Sequence, residues 1–283
     1  MENKFEQYNN RKISDKVCEV HKVNYWQIST PIRGSKERSI QEFCPECCQE
    51  QIDREEQEGV NNSLNAETYL KTYNVLMRDS TLPRELKEAS FENFIAETAE
   101  EKQLLEFARG QVEKYLDGMT GNTLFTGSTG IGKSHLSVAI AKAINEGHKA
   151  KGEPKSVLFV NLTEILRRVR ESFSSPTSLE GYYSRMLKEV DYLVLDDLGI
   201  KSDNASSKGK SVWEEEFIFD ILSNRDKTII TTNLSSSEIV SLYSERVASR
   251  VRTGLEGNFF KSFTIKDKRY SINQLKNKVK QLN

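Results

Sequence analysis

Beyond residue 48 the chain has no cysteine: Cys18, Cys44, Cys47 and Cys48 all fall within the first fifty of 283 residues. That asymmetry marks off a separate N-terminal module. No apolar run approaches the roughly 20 residues that cross a bilayer, and Met1-Glu2-Asn3-Lys4 opens no signal-peptide pattern, so a soluble protein of the cytoplasm with no membrane partner is expected. Net charge is almost absent, formally -1, so no global field draws nucleic acid and any DNA contact must come from local patches. Histidine is scarce, and neither His135 nor His148 has a partner that suggests a hydrolase triad. What remains is 36% hydrophobic and 29% charged, polar but able to bury a core over the C-terminal two thirds.

Within that larger part, Gly127-Ser128-Thr129-Gly130-Ile131-Gly132-Lys133-Ser134 satisfies Gly-x-x-x-x-Gly-Lys-[Ser/Thr], a loop that wraps nucleotide phosphates. Thr123 to Thr126 reads as a strand before it, and His135 to Ile144 as an alanine-rich helix after it. Glycines 127, 130 and 132 allow torsions that a Cβ forbids, so consecutive N–H groups can turn onto phosphate oxygens at the positive end of the helix. Lys133 is placed to reach the β- and γ-phosphates of ATP, and Ser134 to ligate Mg²⁺. His135, next in line, is counted with the residues of this nucleotide site.

Further strands are expected at Ser156 to Asn161, Tyr192 to Leu195 and Thr228 to Thr232. Helices are expected at Thr163 to Phe173, capped by Thr163, at Trp213 to Ser223, and through Leu105, Ala108, Val112, Tyr115 and Leu116 ahead of the loop strand. Apolar strands alternating with helices predict an α/β fold, a parallel sheet covered on both faces. Residues 202–210, rich in Ser, Lys, Asn and Gly, read as a mobile loop. The expected organisation is a module over 1–55, a helical linker over 56–82, and a nucleotide-binding domain over 83–283.

The strand from Tyr192 ends in Asp196-Asp197, which puts two carboxylates at the sheet edge where open α/β folds bind ligands. Asp196 would hold the Mg²⁺ shell, and Asp197 could orient or deprotonate an attacking water. Thr231-Thr232-Asn233 closes the next strand, so the Asn233 amide could stand beside the γ-phosphate.

Together with Glu245-Arg246-Val247-Ala248-Ser249-Arg250 and Phe91-Glu92-Asn93-Phe94, these motifs resemble the AAA+ ATPases. More narrowly, they resemble bacterial and phage replicative-helicase loaders of the DnaI/DnaC type, over roughly residues 83 to 271. The resemblance implies a sensor role for Asn233 and an arginine-finger role in trans for Arg250, with Arg246 and Arg252 as competitors. It also implies a second sensor at Arg269. Two departures stand out. Many AAA+ proteins carry Asp-Glu where this chain has Asp-Asp, which implies slow hydrolysis, and only about thirty residues follow Arg250, too few for a large helical lid.

In the first module Cys18-x-x-His21 and Cys44-x-x-Cys47, 22 residues apart, could close one tetrahedral zinc site. Cys48 could instead replace Cys47 or His21 as a ligand, or remain a free thiol. A module this small gains the stability that it needs from such a metal. Arg167, Arg168, Arg170, Arg185 and Lys188 could line a channel for single-stranded DNA or form a solvated helical face.

The function that the resemblance implies is ATP-dependent loading of a hexameric replicative DNA helicase onto single-stranded DNA, with self-assembly on ATP binding. The alternatives are a transposition-helper ATPase and a nucleotide-dependent adaptor without catalysis.

Overall fold

A computed structural model describes residues 12–31, 38–199 and 212–268. The chain divides into two compact units, Met1–Glu67 and Thr68–Asn283. The first contains a three-stranded antiparallel sheet in the order β1 (Lys12–Val17), β2 (Asn24–Pro31), β3 (Arg38–Phe43). Its register aligns Ile13 with Trp26 and Trp26 with Phe43, and the two rings meet edge to face with centroids 6.4 Å apart. Between β1 and β2 the chain turns tightly: Cys18 N–H donates to the Val23 carbonyl at 2.8 Å, and Lys22 adopts φ 58°. Helix α1 (Pro45–Lys71) follows β3.

The second unit is built on a five-stranded parallel sheet in the order β5-β6-β7-β4-β8. Its strands are β4 (Gly121–Gly127), β5 (Val157–Asn161), β6 (Tyr192–Leu198), β7 (Lys227–Thr232) and β8 (Phe259–Ser262). Period-two alternation distributes each strand over two cores. Leu158 and Val160 enter one cluster with Leu195, Ile218 and Val247, while Val157 and Phe159 enter the other with Leu104, Phe125 and Ile140. The helices covering these faces are α2 (Val75–Asp79), α3 (Ala99–Leu116), α4 (Lys133–Ala150), α5 (Leu162–Ser172), α6 (Glu180–Glu189), α7 (Val212–Ser223), α8 (Ser236–Leu242) and α9 (Glu245–Val251). The expected α/β architecture is present.

Three details depart from the sequence-based expectation. Helix α5 is capped by Asn161, whose side chain accepts from Glu164 N–H, and not by Thr163. Strand β5 runs straight into the helix, so its last residue takes the cap position and Thr163 lies inside the first turn. Val75 and Leu76 are buried, and Ser80 and Thr81 accept from the N–H groups of Phe159 and Asn161, so the packed body begins ahead of residue 83. Strand β8, which the sequence reading did not anticipate, pairs with β4 from Leu124–Phe259 to Gly127–Ser262 and brings Ser262 against the phosphate loop. The loop expected at 202–210 lies outside the described residues.

Candidate functional site

Strand β4 delivers the chain to the loop and α4 starts at Lys133, so the loop N–H groups lie at a helix N-terminus. Gly130 and Gly132 take φ 79° and 98°. Crowding adds a second reason for glycine: a Cβ on Gly132 would lie 2.4 Å from the Phe94 ring, and one on Gly127 only 1.7 Å from the Ser262 carbonyl oxygen. Lys133 is 6% exposed, and its ammonium donates to the Gly127 and Ser128 carbonyls at 2.8 Å each and to Asn233 Oδ1 at 2.7 Å. The two sequence-distant residues expected at the γ-phosphate therefore meet.

Ser134 and Asp196, the two groups expected at Mg²⁺, lie close enough together for the Ser134 side chain to pull the Asp196 carboxyl down. Asp196 is 3% exposed; burial, then the neighbouring Asp197, pushes its carboxyl up to about 6, against the pull of Thr231, Ser134 and Lys133. Thr231 Oγ1 donates to Asp196 Oδ1 at 2.7 Å and accepts from Asp197 N–H at 3.0 Å, locking β6 to β7 at this point. There the register shifts between Leu195 and Leu198, and Asp197 adopts φ 63°. This bulge turns the Asp197 side chain toward β5, where Asn161 Nδ2 donates to Oδ2 at 3.0 Å. Sequence reasoning missed Asn161 as a site residue. Its only sequence signal is its position at the end of a strand beside the acidic pair.

The remaining expectations divide. His135 bonds the Ser90 carbonyl through Nε2 at 2.8 Å and packs edge to face on Phe94. Arg250 is exposed on α9, its guanidinium 5.5 Å from the Phe219 ring centre, while Arg246 covers the same ring at 3.8 Å and Arg252 pairs with Glu245 at 2.7 Å. Arg269 lies outside the described residues. The segment just before it clasps the loop: Ser128 N–H donates to Ser262 O at 3.1 Å, and Lys268 N–H to Gly130 O at 3.0 Å. Lys268 also forms an ion pair with Glu101 at 3.1 Å. Arg167 and Arg168 pair with Glu164, Arg170 with Glu214, and Lys188 with Asp220, as on an ion-paired helical face.

In the first unit the ligand atoms of Cys18, His21, Cys44 and Cys47 all lie within 4.8 Å of one another. Zn–S and Zn–N bonds of tetrahedral zinc imply S···S edges of about 3.8 Å and S···N edges of about 3.6 Å. The Cys18–Cys47 sulfurs are 3.8 Å apart, and His21 Nδ1 lies 3.9, 3.7 and 3.2 Å from the sulfurs of Cys18, Cys44 and Cys47. The donor set, three thiols and an imidazole, thus fits zinc in kind and in approximate spacing. The His21 backbone N–H holds the Cys18 thiol down to about 6, while burial and the thiols of Cys18 and Cys44 push Cys47 up to about 12, so the cluster does not ionise uniformly without a cation. Cys48 is outside the cluster.

A parallel sheet with a glycine-rich loop after β4, paired acids ending β6 and an asparagine after β7 defines a P-loop nucleoside triphosphatase of the AAA+ kind. The chain belongs to the bacterial DnaA ATPase-domain family, which it matches over residues 86–258. It is 31% identical over 165 residues to the replicative helicase loader DnaC of Escherichia coli K12, covering 58% of this chain and 63% of that relative. The loader kinship read from the motifs is borne out. The crystal structure of the DnaC helicase loader aligns with a TM-score of 0.49 at 26% identity, over 63% of this chain and 99% of that one. Domain III of the Thermotoga maritima replication initiation protein DnaA aligns at 0.50 and 16% identity, over 71% and 77% of the two chains, a likeness of fold alone. Among the described residues, no helix is long and apolar enough to cross a membrane.

Proposed function

We propose that this chain is an ATP-dependent loader that binds a hexameric replicative DNA helicase and delivers it onto single-stranded DNA during replication initiation. What carries the reading is the convergence of Lys133, Asn233, Ser134 and Asp196 at the end of β4, in a relative of a helicase loader. Lys133 exchanges the Gly127 and Ser128 carbonyls for the β- and γ-phosphates, and the loop N–H groups close around their oxygens. Asn233, bonded to Lys133, positions the attacking water, and Asp197 takes its proton. Mg²⁺, held by Ser134 and Asp196, would neutralise charge developing on the phosphates. Arg250 is exposed and reaches the nucleotide of a neighbouring copy, so ATP binding drives self-assembly. Cys18, His21, Cys44 and Cys47 hold zinc, which stabilises the module that grips the helicase.

Mass measurement of the full chain with a hexameric replicative helicase, with and without Mg·ATP, tests this reading. It expects a helicase complex, ATP-dependent self-assembly, and an Arg250→Ala variant that binds nucleotide but loses assembly-dependent turnover. No affinity for adenine nucleotides, or no association with the helicase, overturns it. Aspartate at position 197, a shorter arm than the glutamate common among AAA+ proteins, favours a second reading, an adaptor that binds ATP without hydrolysing it. Single-turnover hydrolysis with and without single-stranded DNA separates the two.

A further inference from the structure

His21 uses both ring nitrogens. Its Nδ1 faces the sulfurs of Cys18, Cys44 and Cys47, while its Nε2 lies 3.0 Å from Glu50 Oε1. A cation at the centre of those sulfurs is reached by Nδ1 alone, so Nε2 must carry the hydrogen, and a carboxylate stands where it is needed to accept it. The sequence arranges this simply. Glu50 follows Cys47 by three residues on α1, so the helix face that presents the Cys47 thiol also presents the carboxylate. Cys48, one residue past Cys47, is rotated off that face and stays outside the cluster.

We propose that Glu50 is a positioning residue for the metal centre: it accepts the Nε2 hydrogen of His21, fixes the ring plane and makes Nδ1 the ligand atom. The proposal rests on the zinc site of the preceding reading and adds to it a fifth residue and the identity of the coordinating nitrogen. Carboxylate partners of this kind change metal affinity about 10- to 100-fold. Glu50 is 62% exposed at its side chain, so water competes and the lower end of that range applies.

The test uses the full chain with Zn²⁺ as the probe. Chelator competition reads the affinity, metal analysis the stoichiometry, and two-bond ¹H–¹⁵N spectra of the histidine rings the bound nitrogen. The expected result is one zinc per chain held through Nδ1, with affinity about tenfold lower in Glu50→Ala. Glu50→Gln, which retains a neutral acceptor, falls between that variant and the wild type, and Cys48→Ser matches the wild type. Coordination through Nε2 in the wild type, or wild-type affinity in Glu50→Ala, overturns the role of Glu50 while leaving the zinc site standing. A wild-type chain that binds no zinc overturns the site and the proposal together.

Discussion

Replacing Asp196 by Asn should stabilise the nucleotide-free protein. Asp196 is 3% exposed, and its carboxyl is raised from 3.8 to about 6, first by burial and then by Asp197. An acid whose folded value lies above its unfolded value binds its proton more tightly in the folded state, so ionising it costs stability. That cost is fully present above pH 6, shrinks as pH falls toward 4, and is gone once the carboxyl is protonated in both states. At 1.36 kcal/mol per pH unit it amounts to about 3 kcal/mol. Asparagine retains an Oδ1 acceptor for the Thr231 hydroxyl, which lies 2.7 Å from it in the wild type, and removes the charge. The assay is urea unfolding followed at Trp213 of α7 in a Trp26→Phe background, since the chain has two tryptophans and the other lies in the first unit. Near pH 8 the Asp196→Asn variant should gain about 2 to 3 kcal/mol, a gap that closes as pH falls toward 4. Mg·ATP should then stabilise the wild type and not the variant, because Asp196 is kept ionised at this cost in order to bind the cation. A variant less stable than the wild type at pH 8, or a gap independent of pH, refutes the reasoning.

Lys133→Ala removes the ammonium's bonds to Gly127, Ser128 and Asn233 and should weaken nucleotide binding at least about 100-fold, read by equilibrium dialysis; unchanged affinity contradicts its placement. Gly127→Ala forces a Cβ to within 1.7 Å of a backbone carbonyl at Ser262 and should cost about 1 to 3 kcal/mol, seen as a lowered Tm, and a wild-type Tm denies that close approach. Asn161→Ala loses the cap of α5, worth about 1 kcal/mol, and the donor to Asp197. Its turnover at saturating ATP should fall while nucleotide affinity holds, and Asn161→Ser should restore stability without turnover. Asp197→Glu places a longer side chain on a left-handed backbone and should destabilise by about 1 kcal/mol, again by urea unfolding; a more stable variant would count against a strained position.

What was legible in the sequence was whatever is encoded locally. Residues 127 to 134 state the torsions, the cation and the hydroxyl within eight positions, and the strand and helix that flank them carry their own apolar signatures. The two ligand pairs, Cys18-x-x-His21 and Cys44-x-x-Cys47, are equally local, and all four ligands sit at knuckle spacing whatever the strands around them do. The strands of the first unit were not legible, because β1 reads Lys-Ile-Ser-Asp-Lys-Val and is largely exposed, with no alternation deep enough to mark a buried face. The clasp of residues 262–268 on the loop was hidden for another reason: Ser262 meets Ser128 across more than a hundred residues, and no local pattern records such a contact.

Asp197 shows how the two kinds of information combine. From sequence, Asp in place of the Glu common among AAA+ proteins is a shorter arm that implies slow hydrolysis. In the structure the position has φ 63° at a register shift, a torsion that short polar side chains such as Asp tolerate several-fold more often than most. The bulge re-aims the carboxylate and sets it against Asn161, so aspartate here suits the backbone as well as the chemistry. Local strain at the residue proposed to move the proton, held by a hydrogen bond accepted from Asn161 of β5 and one donated to Thr231 of β7, is the pattern expected where a fold sacrifices stability to hold a reactive group in place.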